Sequence, residues 1–395
     1  MDSELRQKAS EQPRWWNNPR VRALLFQVAI VAAVLGFALY LFDNTLHNLE
    51  KRGITTGFGF LDSQAGFGII QSLVEYSETS TYGRTFVVGL LNTLLVSALG
   101  ILLASLLGFV IGIARLSRNW LVAKLAAAYI EVFRNIPLLL QIFFWYFAVL
   151  RALPSPRQSI ELGGVAYLNL RGLYLPRPLL EPGFGWVIAA LLAGVVATLL
   201  LARWARRRQE ATGRPFHTLY AGIALIVGLP LLVFFAAGAP LSWEIPELRG
   251  FNFRGGIPVI PELSALVLAL SIYTAAFIAE IVRAGIQAVS HGQTEAAYAL
   301  GLRRGLTLRL VILPQALRVI IPPLTNQYLN LTKNSSLATA IGYPDLVSVF
   351  AGTTLNQTGQ AVEVIAMTMA VYLGISLSIS LLMNDYNRRK MLLER

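Results

Sequence analysis

The sequence predicts an all-α membrane protein with about eight transmembrane helices. Three observations carry that prediction. Of the 395 residues, 55% are hydrophobic and only 14% are charged, against about 25% charged in an ordinary soluble domain. The mean hydropathy is +0.59. The basic residues gather in short stretches between apolar runs of about 20 residues, the length that crosses a bilayer core as a helix.

The same composition removes several functions. The net charge is +12, but its dispersal over short loops argues against nucleic-acid binding. There is no cysteine, hence no disulfide framework and no thiolate metal site. The histidines, His47, His217 and His291, are far apart and lack His-Glu-x-x-His spacing, so no metal site is expected. No Gly-x4-Gly-Lys-Ser/Thr loop occurs, so the chain itself should bind no ATP. Gly301-Leu302-Arg303-Arg304-Gly305-Leu306-Thr307 has the wrong spacing for one.

Eight spans are expected near 23–42, 86–113, 135–151, 184–202, 218–237, 262–282, 311–332 and 363–383. The first comes after a polar stretch, Met1 to Arg22. It is too long for a signal-peptide core and precedes no small-residue cleavage pattern, so it reads as a retained helix. Arg134-Asn135-Ile136-Pro137 interrupts the third span. A helix over about 121–133 should run along or into the cytoplasmic face, with Pro137 in the first turn of the spanning part. Lys and Arg set the orientation. Loops 1–22, 115–134, 203–217, 283–310 and 384–395 hold 22 of them, and loops 43–84, 151–183, 238–261 and 333–362 hold 10. The richer side, with both termini, is predicted to be cytoplasmic. Arg318 falls inside a span. Trp15, Trp16, Trp120, Trp186 and Trp243 lie near span ends and read as interfacial belt residues. Gly100, Ala104, Gly108 and Gly112 recur every four residues. Such a stripe lets a helix approach closely, from this chain or from another subunit.

Several motifs then succeed one another in order. Glu295-Ala296-Ala297-Tyr298-Ala299-Leu300-Gly301 is followed, nine residues on, by Val311-Ile312-Leu313-Pro314. Upstream are Tyr129-Ile130-Glu131-Val132-Phe133-Arg134-Asn135-Ile136-Pro137 and Ala279-Glu280-Ile281-Val282-Arg283-Ala284-Gly285. Downstream are Pro314-Gln315-Ala316 and Asn330-Leu331-Thr332-Lys333-Asn334-Ser335-Ser336. Together these resemble the polar amino-acid ABC transporter permeases of the histidine/glutamate/glutamine/arginine family. The resemblance is to inner-membrane components of general L-amino acid or glutamate/glutamine/aspartate importers, although Val311 stands where the family pattern has Ile. It covers about 85–150 and 262–390. Small members are little more than a five-helix core, whereas this chain adds 1–84 and inserts 151–261 with two predicted spans.

The resemblance implies a type I ABC importer transmembrane domain in the bacterial inner membrane. The first part of its core is 85–150, and the second is 262–390 with a cytoplasmic coupling loop at 290–310. It further implies separate ABC ATPase subunits carrying ATP and Mg, a periplasmic amino-acid-binding protein, and a second, different permease forming a heterodimer. Glu295, Ala296, Ala297, Gly301, Leu313 and Pro314 would then couple the chain to the ATPase.

The loop also reads locally. Ser290 with Gln293 fits a capping box. Glu295 would complement the helix dipole in the first turn, and Ala296, Ala297 and Ala299 favour helix and leave a smooth face. Gly301 would end that helix, and a second piece, about 306–310, would lead to Pro314.

Asn326, Asn330, Lys333 and Asn334, with Gln327 adjacent, fall on one face of the seventh span. They could contact a zwitterionic solute or bond between helices. Pro322-Pro323 should kink this helix and free carbonyls. Glu280 with Arg283 and Glu131 with Arg134 have i,i+3 spacing for ion pairs, structural or gating. Two other classes compete: a membrane enzyme using Glu131, Glu280 or Glu295, and a solitary ion-coupled carrier. A carrier would need carboxylates at mid-membrane, and the spans hold almost none.

Overall fold

The computed structural model describes residues 19–51, 53 and 56–390. In chain order the helices are α1 (Pro19–Lys51), α2 (Tyr82–Arg115), α3 (Trp120–Asn135), α4 (Leu138–Phe143), α5 (Phe184–Thr212), α6 (Thr218–Ile223), α7 (Leu229–Ala236), α8 (Pro261–Gln287), α9 (His291–Ala299), α10 (Arg304–Thr307), α11 (Leu313–Asn334), α12 (Leu355–Thr358) and α13 (Ala361–Lys390). π-Helical turns extend α4 over Phe144–Leu150, join α6 to α7 over Ala224–Gly228, join α10 to α11 over Leu308–Ile312, and precede α12 over Val347–Thr354.

Among the described residues, seven helical stretches are long and apolar enough to cross a membrane, or eight if the bent pair α3 and α4 counts as one. That bears out the expected all-α membrane fold. The bent pair turns through 104°. Ile136 is extended, with φ −93° and ψ 126°, because a residue before proline avoids the helical region. Pro137 is therefore the residue that precedes α4, not a member of its first turn as expected.

Eight short strands outside the spans were not anticipated by the hydropathy pattern. They are β1 (Ile160–Leu162), β2 (Ala166–Asn169), β3 (Gly172–Leu175), β4 (Arg177–Leu180), β5 (Leu241–Glu244), β6 (Glu247–Arg249), β7 (Asn252–Arg254) and β8 (Ile257–Val259). β1-β2-β3-β8 form an antiparallel sheet, and β4 pairs with β5 and β6 with β7. The strands flank the inserted helices α5 to α7 on the chain. Trp120 and Trp186 are exposed at the starts of α3 and α5, whereas Trp243 is on β5. Trp15 and Trp16 lie outside the described residues.

The chain divides into two compact units, one from the described parts of 1–92 with 344–378, the other from 93–343 with the described part of 379–395. In the first, Phe60, Ala65, Tyr82, Leu346, Phe350 and Val364 form a small core. Tyr82 donates to Gln357 Oε1 at 2.9 Å, and the Gly57 N–H donates to Glu363 Oε1 at 2.6 Å. Asn92 Nδ2 donates to the carbonyls of Gln71 and Pro344. The apolar stretch of α1 buries none of its residues among the described residues. A helix apolar all round and left bare within its own chain is one built for lipid contact.

In the second unit α8 is the central helix. Ala265, Leu266, Ala269, Leu270, Ala275, Ala276, Ile278 and Ala279 are fully buried, and α8 packs against α11, α3 and α4. The small-residue stripe of α2 serves this packing. A Cβ on Gly108 would come within 2.6 Å of the Ile278 side chain, and one on Gly112 within 2.8 Å of Val282 Cβ. Only glycine permits that approach, and Gly100 packs closely against the Leu331 side chain, where a Cβ would stand 3.0 Å from its Cδ2. The stripe is therefore occupied within the chain. α11 runs through Pro322 and Pro323 as one continuous helix. The two prolines withhold the N–H groups that the carbonyls of Arg318 and Val319 would otherwise accept.

Candidate coupling helix and pathway face

The segment after α8 folds as a short helix with a sharp stop. α9 begins after Ser290, whose side chain makes no cap. The expected capping box is not formed, because Gln293 is used elsewhere. Its Oε1 accepts a hydrogen bond from Gln315 Nε2 at 3.2 Å, near the start of α11. Glu295 falls one residue beyond the first turn and sits 3.0 Å from Nδ1 of His291, both well exposed. It complements a side chain four residues back, not the bare helix start.

The other end of α9 matches the expectation for Gly301. The Gly301 N–H donates to the Tyr298 carbonyl at 2.9 Å, and the Leu302 N–H donates to that of Ala297 at 3.1 Å. Gly301 has φ +76°. These two bonds around a left-handed glycine make a Schellman stop. The chain then re-enters helix at Arg304, where Thr307 Oγ1 donates to the Arg303 carbonyl.

The exposed face of α9 differs from the predicted one. Ala297 is 2% exposed, so it anchors the helix inward and does not belong to a smooth outer face. Glu295, Ala296 and Ala299 are exposed. Beside them stand Tyr298, and Leu300 at 81% exposure. Sequence reasoning did not single out these two exposed side chains, although their place in a polar loop was a usable signal. Leu313 and Pro314 are exposed near the start of α11, just beyond the segment Leu308–Ile312 against which α9 packs.

The two expected ion pairs diverge. Arg283 donates to Glu280 through Nε at 2.9 Å and through a second, closer contact, and it also reaches Gln287. Both partners are about one-third exposed or less. Glu131 and Arg134 form no pair. The Arg134 guanidinium lies 5.2 Å from the Phe277 ring centroid on α8, and exposed Glu131 lends only its backbone carbonyl, to Asn135. An aromatic face on a neighbouring helix competes here with a carboxylate three residues away.

On α11, Asn326, Asn330 and Lys333 are exposed, and Gln327 and Asn334 are half-buried. None of these five side chains makes a hydrogen bond among the described residues. The opposite side of the helix is pinned, with Tyr328 and Ser105 hydroxyls 2.8 Å apart. The polar face is therefore not glue within this chain. In a bilayer, bare amides and an ammonium on a helix are costly, so another surface or an aqueous path must cover them.

The comparisons with known proteins identify the family. Residues 98–392 match the family described as binding-protein-dependent transport system inner membrane component. The putative amino-acid ABC transporter permease protein YhdX of Escherichia coli is 63% identical over 96% of both chains. The general L-amino acid transport system permease protein AapQ of Rhizobium johnstonii is 54% identical over 96% of this chain and 94% of its own. The glutamate/glutamine/aspartate/asparagine transport system permease protein BztB of Rhodobacter capsulatus is 43% identical over 95% of each. This chain belongs to the inner-membrane components of binding-protein-dependent transport systems, as an amino-acid ABC transporter permease.

Proposed function

We propose that this chain forms the membrane pathway of an ATP-driven importer for polar L-amino acids. Its partners are two ABC ATPase subunits, which bind ATP and Mg, a second permease in a heterodimer, and a periplasmic binding protein. Both termini and the loop 290–310 face the cytoplasm.

The observation that carries this reading is the construction of α9. It is a short handle, anchored from inside by Ala297 and linked at the surface through Gln293 to Gln315, that offers Tyr298 and Leu300 beside a left-handed glycine. Exposed apolar side chains on this short helix support a docking role in this reading. Leu313 and Pro314 then carry the handle's motion into α11. Transport requires the ATPase dimer to bind the outward and inward states unequally, since only differential affinity shifts such an equilibrium.

The solute reading rests on chemistry and on the relatives. An amino-acid carboxylate needs donors and its ammonium needs acceptors. Asn326, Gln327, Asn330 and Asn334 supply both, and Lys333 adds a cation. Glu280 with Arg283 serves as a structural pair near the cytoplasmic end of α8. The names of three relatives specify amino acids.

A C-terminal tag on this chain, pull-down from detergent-solubilised membranes and mass spectrometry test the assembly. An ATPase and a second permease should co-purify, and uptake by the reconstituted complex should stop with vanadate. Recovery of this chain alone, moving solute in liposomes without ATP, refutes the proposal.

A further inference from the structure

The importer function makes no use of the turn that closes the inserted helix pair. α5 has 29 residues, about 43 Å at 1.5 Å per residue, against a hydrocarbon core of about 30 Å. Trp186 and Trp204 are both exposed and stand 18 residues apart on this helix, roughly 27 Å. They bracket its apolar part as belt residues do. Leu191, Leu192, Val195, Val196, Leu199 and Leu200 lie exposed between them.

From Trp204 onward the helix changes character. Arg203, Arg206, Arg207 and Arg208 lie within two turns, and Arg214 comes just after the helix end. Arg203, Arg206 and Arg207 are at i, i+3 and i+4, which places them on one face. None of the five has a carboxylate partner among the described residues, and Glu210 is the sole acid of the turn 203–217. The Arg208 guanidinium lies 5.3 Å from the Trp204 ring centroid, and Trp204 meets Phe216 edge-on at 5.5 Å. That contact fixes an aromatic group at the end of the helix's apolar stretch, with three guanidinium groups that lack a carboxylate partner beside it.

Guanidinium groups match phosphate oxygens in planar, bidentate geometry. We propose that the face carrying Arg203, Arg206 and Arg207 is a binding site for the phosphate headgroups of anionic phospholipids. A soluble anion would use the charges alone. A lipid also uses the exposed apolar surface of α5 directly below them, and the Trp204 ring stands at the boundary between its two halves. The site is independent of which solute the importer carries, and it belongs to a helix pair that lies outside the resemblance to the five-helix core.

Native mass spectrometry of the detergent-purified full chain with its co-purifying partners provides the test. The probes are cardiolipin, phosphatidylethanolamine and inorganic phosphate. Cardiolipin should remain bound where phosphatidylethanolamine does not, and inorganic phosphate at equal concentration should not displace it. Each basic side chain near an anionic surface contributes about fivefold, so Arg203→Gln, Arg206→Gln and Arg207→Gln together should weaken retention roughly a hundredfold. Arg249→Gln with Arg254→Gln, on β6 and β7, should leave it unchanged. The corresponding triple lysine variant should retain most binding. Unaltered cardiolipin retention in the triple glutamine variant overturns the proposal. So does equal retention of phosphatidylethanolamine, or displacement by phosphate, which would identify a soluble-anion site. Salt titration of the native protein asks the same question without mutation, and salt-insensitive cardiolipin binding also overturns it.

Discussion

Substituting Gly301 by aspartate separates strain within the chain from failure at a partner surface. The residue holds φ +76°, and a Cβ built there meets no atom within 4 Å. No steric clash inside the chain can therefore explain a defect. The remaining term is the backbone cost of a left-handed residue with a side chain, about 1–2 kcal/mol at most, and less for Asp or Asn, which tolerate that region. The two Schellman hydrogen bonds use backbone atoms alone and survive the change. Gly301→Asp should therefore insert, accumulate and melt within a few degrees of the native protein. Its ATP-driven uptake in proteoliposomes should nonetheless be lost, because the new carboxylate stands beside Leu300 and Tyr298 on the proposed docking face. Gly301→Asn, with the same backbone cost and no charge, should retain part of the uptake. Normal uptake by Gly301→Asp would refute the coupling assignment. Failure of both variants to accumulate would refute the low strain assigned to this position.

Other expectations rest on particular contacts. Gly108→Val should destabilise the detergent-solubilised protein by about 1–3 kcal/mol or prevent its folding, since it forces Ile278 aside, and an unshifted melting temperature would contradict the close approach of α2 to α8. Glu280→Gln should cost about 1 kcal/mol by stranding Arg283, whereas Glu131→Gln should leave thermal unfolding unchanged. Asn326→Leu with Asn330→Leu should lower uptake without lowering stability, and a folding defect would show that these amides bond inside the chain after all. The native chain lacks cysteine, so single Arg206→Cys and Phe251→Cys substitutions can be labelled with impermeant maleimide, and each should react from the opposite side of the membrane.

The spans were legible because a bilayer imposes one demand on every segment: about 20 apolar residues with all backbone groups paired inside the helix. The end of α9 was legible for a similar reason, because a glycine at a helix stop is a local matter. The features that stayed hidden are tertiary. The spacing of Ser290 and Gln293 satisfies a capping box, yet Gln293 finds Gln315, 22 residues away. The spacing of Glu131 and Arg134 satisfies an ion pair, yet Arg134 finds Phe277 on another helix. The burial of Ala297 could not be told from that of Ala296, its chemically identical neighbour. The strands of the insert have three or four residues each, too few for an alternating pattern to register. Their turns carry the legible signs, such as Gly163-Gly164 and Gly255-Gly256, all at positive φ.

Under the proposed coupling role of α9, the hydrogen bond between Gln293 and Gln315 would act as a tether. It joins the handle to α11 at one point, and from that point to Asn326 is 11 residues, a lever arm of about 17 Å. A tilt of about 10° imposed at Gln315 displaces Asn326 sideways by about 3 Å, comparable with the small helix shifts that switch packed assemblies. Pro322 and Pro323 lie on that arm. Their missing hydrogen bonds make it most compliant just short of Asn326, so under the proposed coupling a push at Gln315 would turn the amide face as well as carry it.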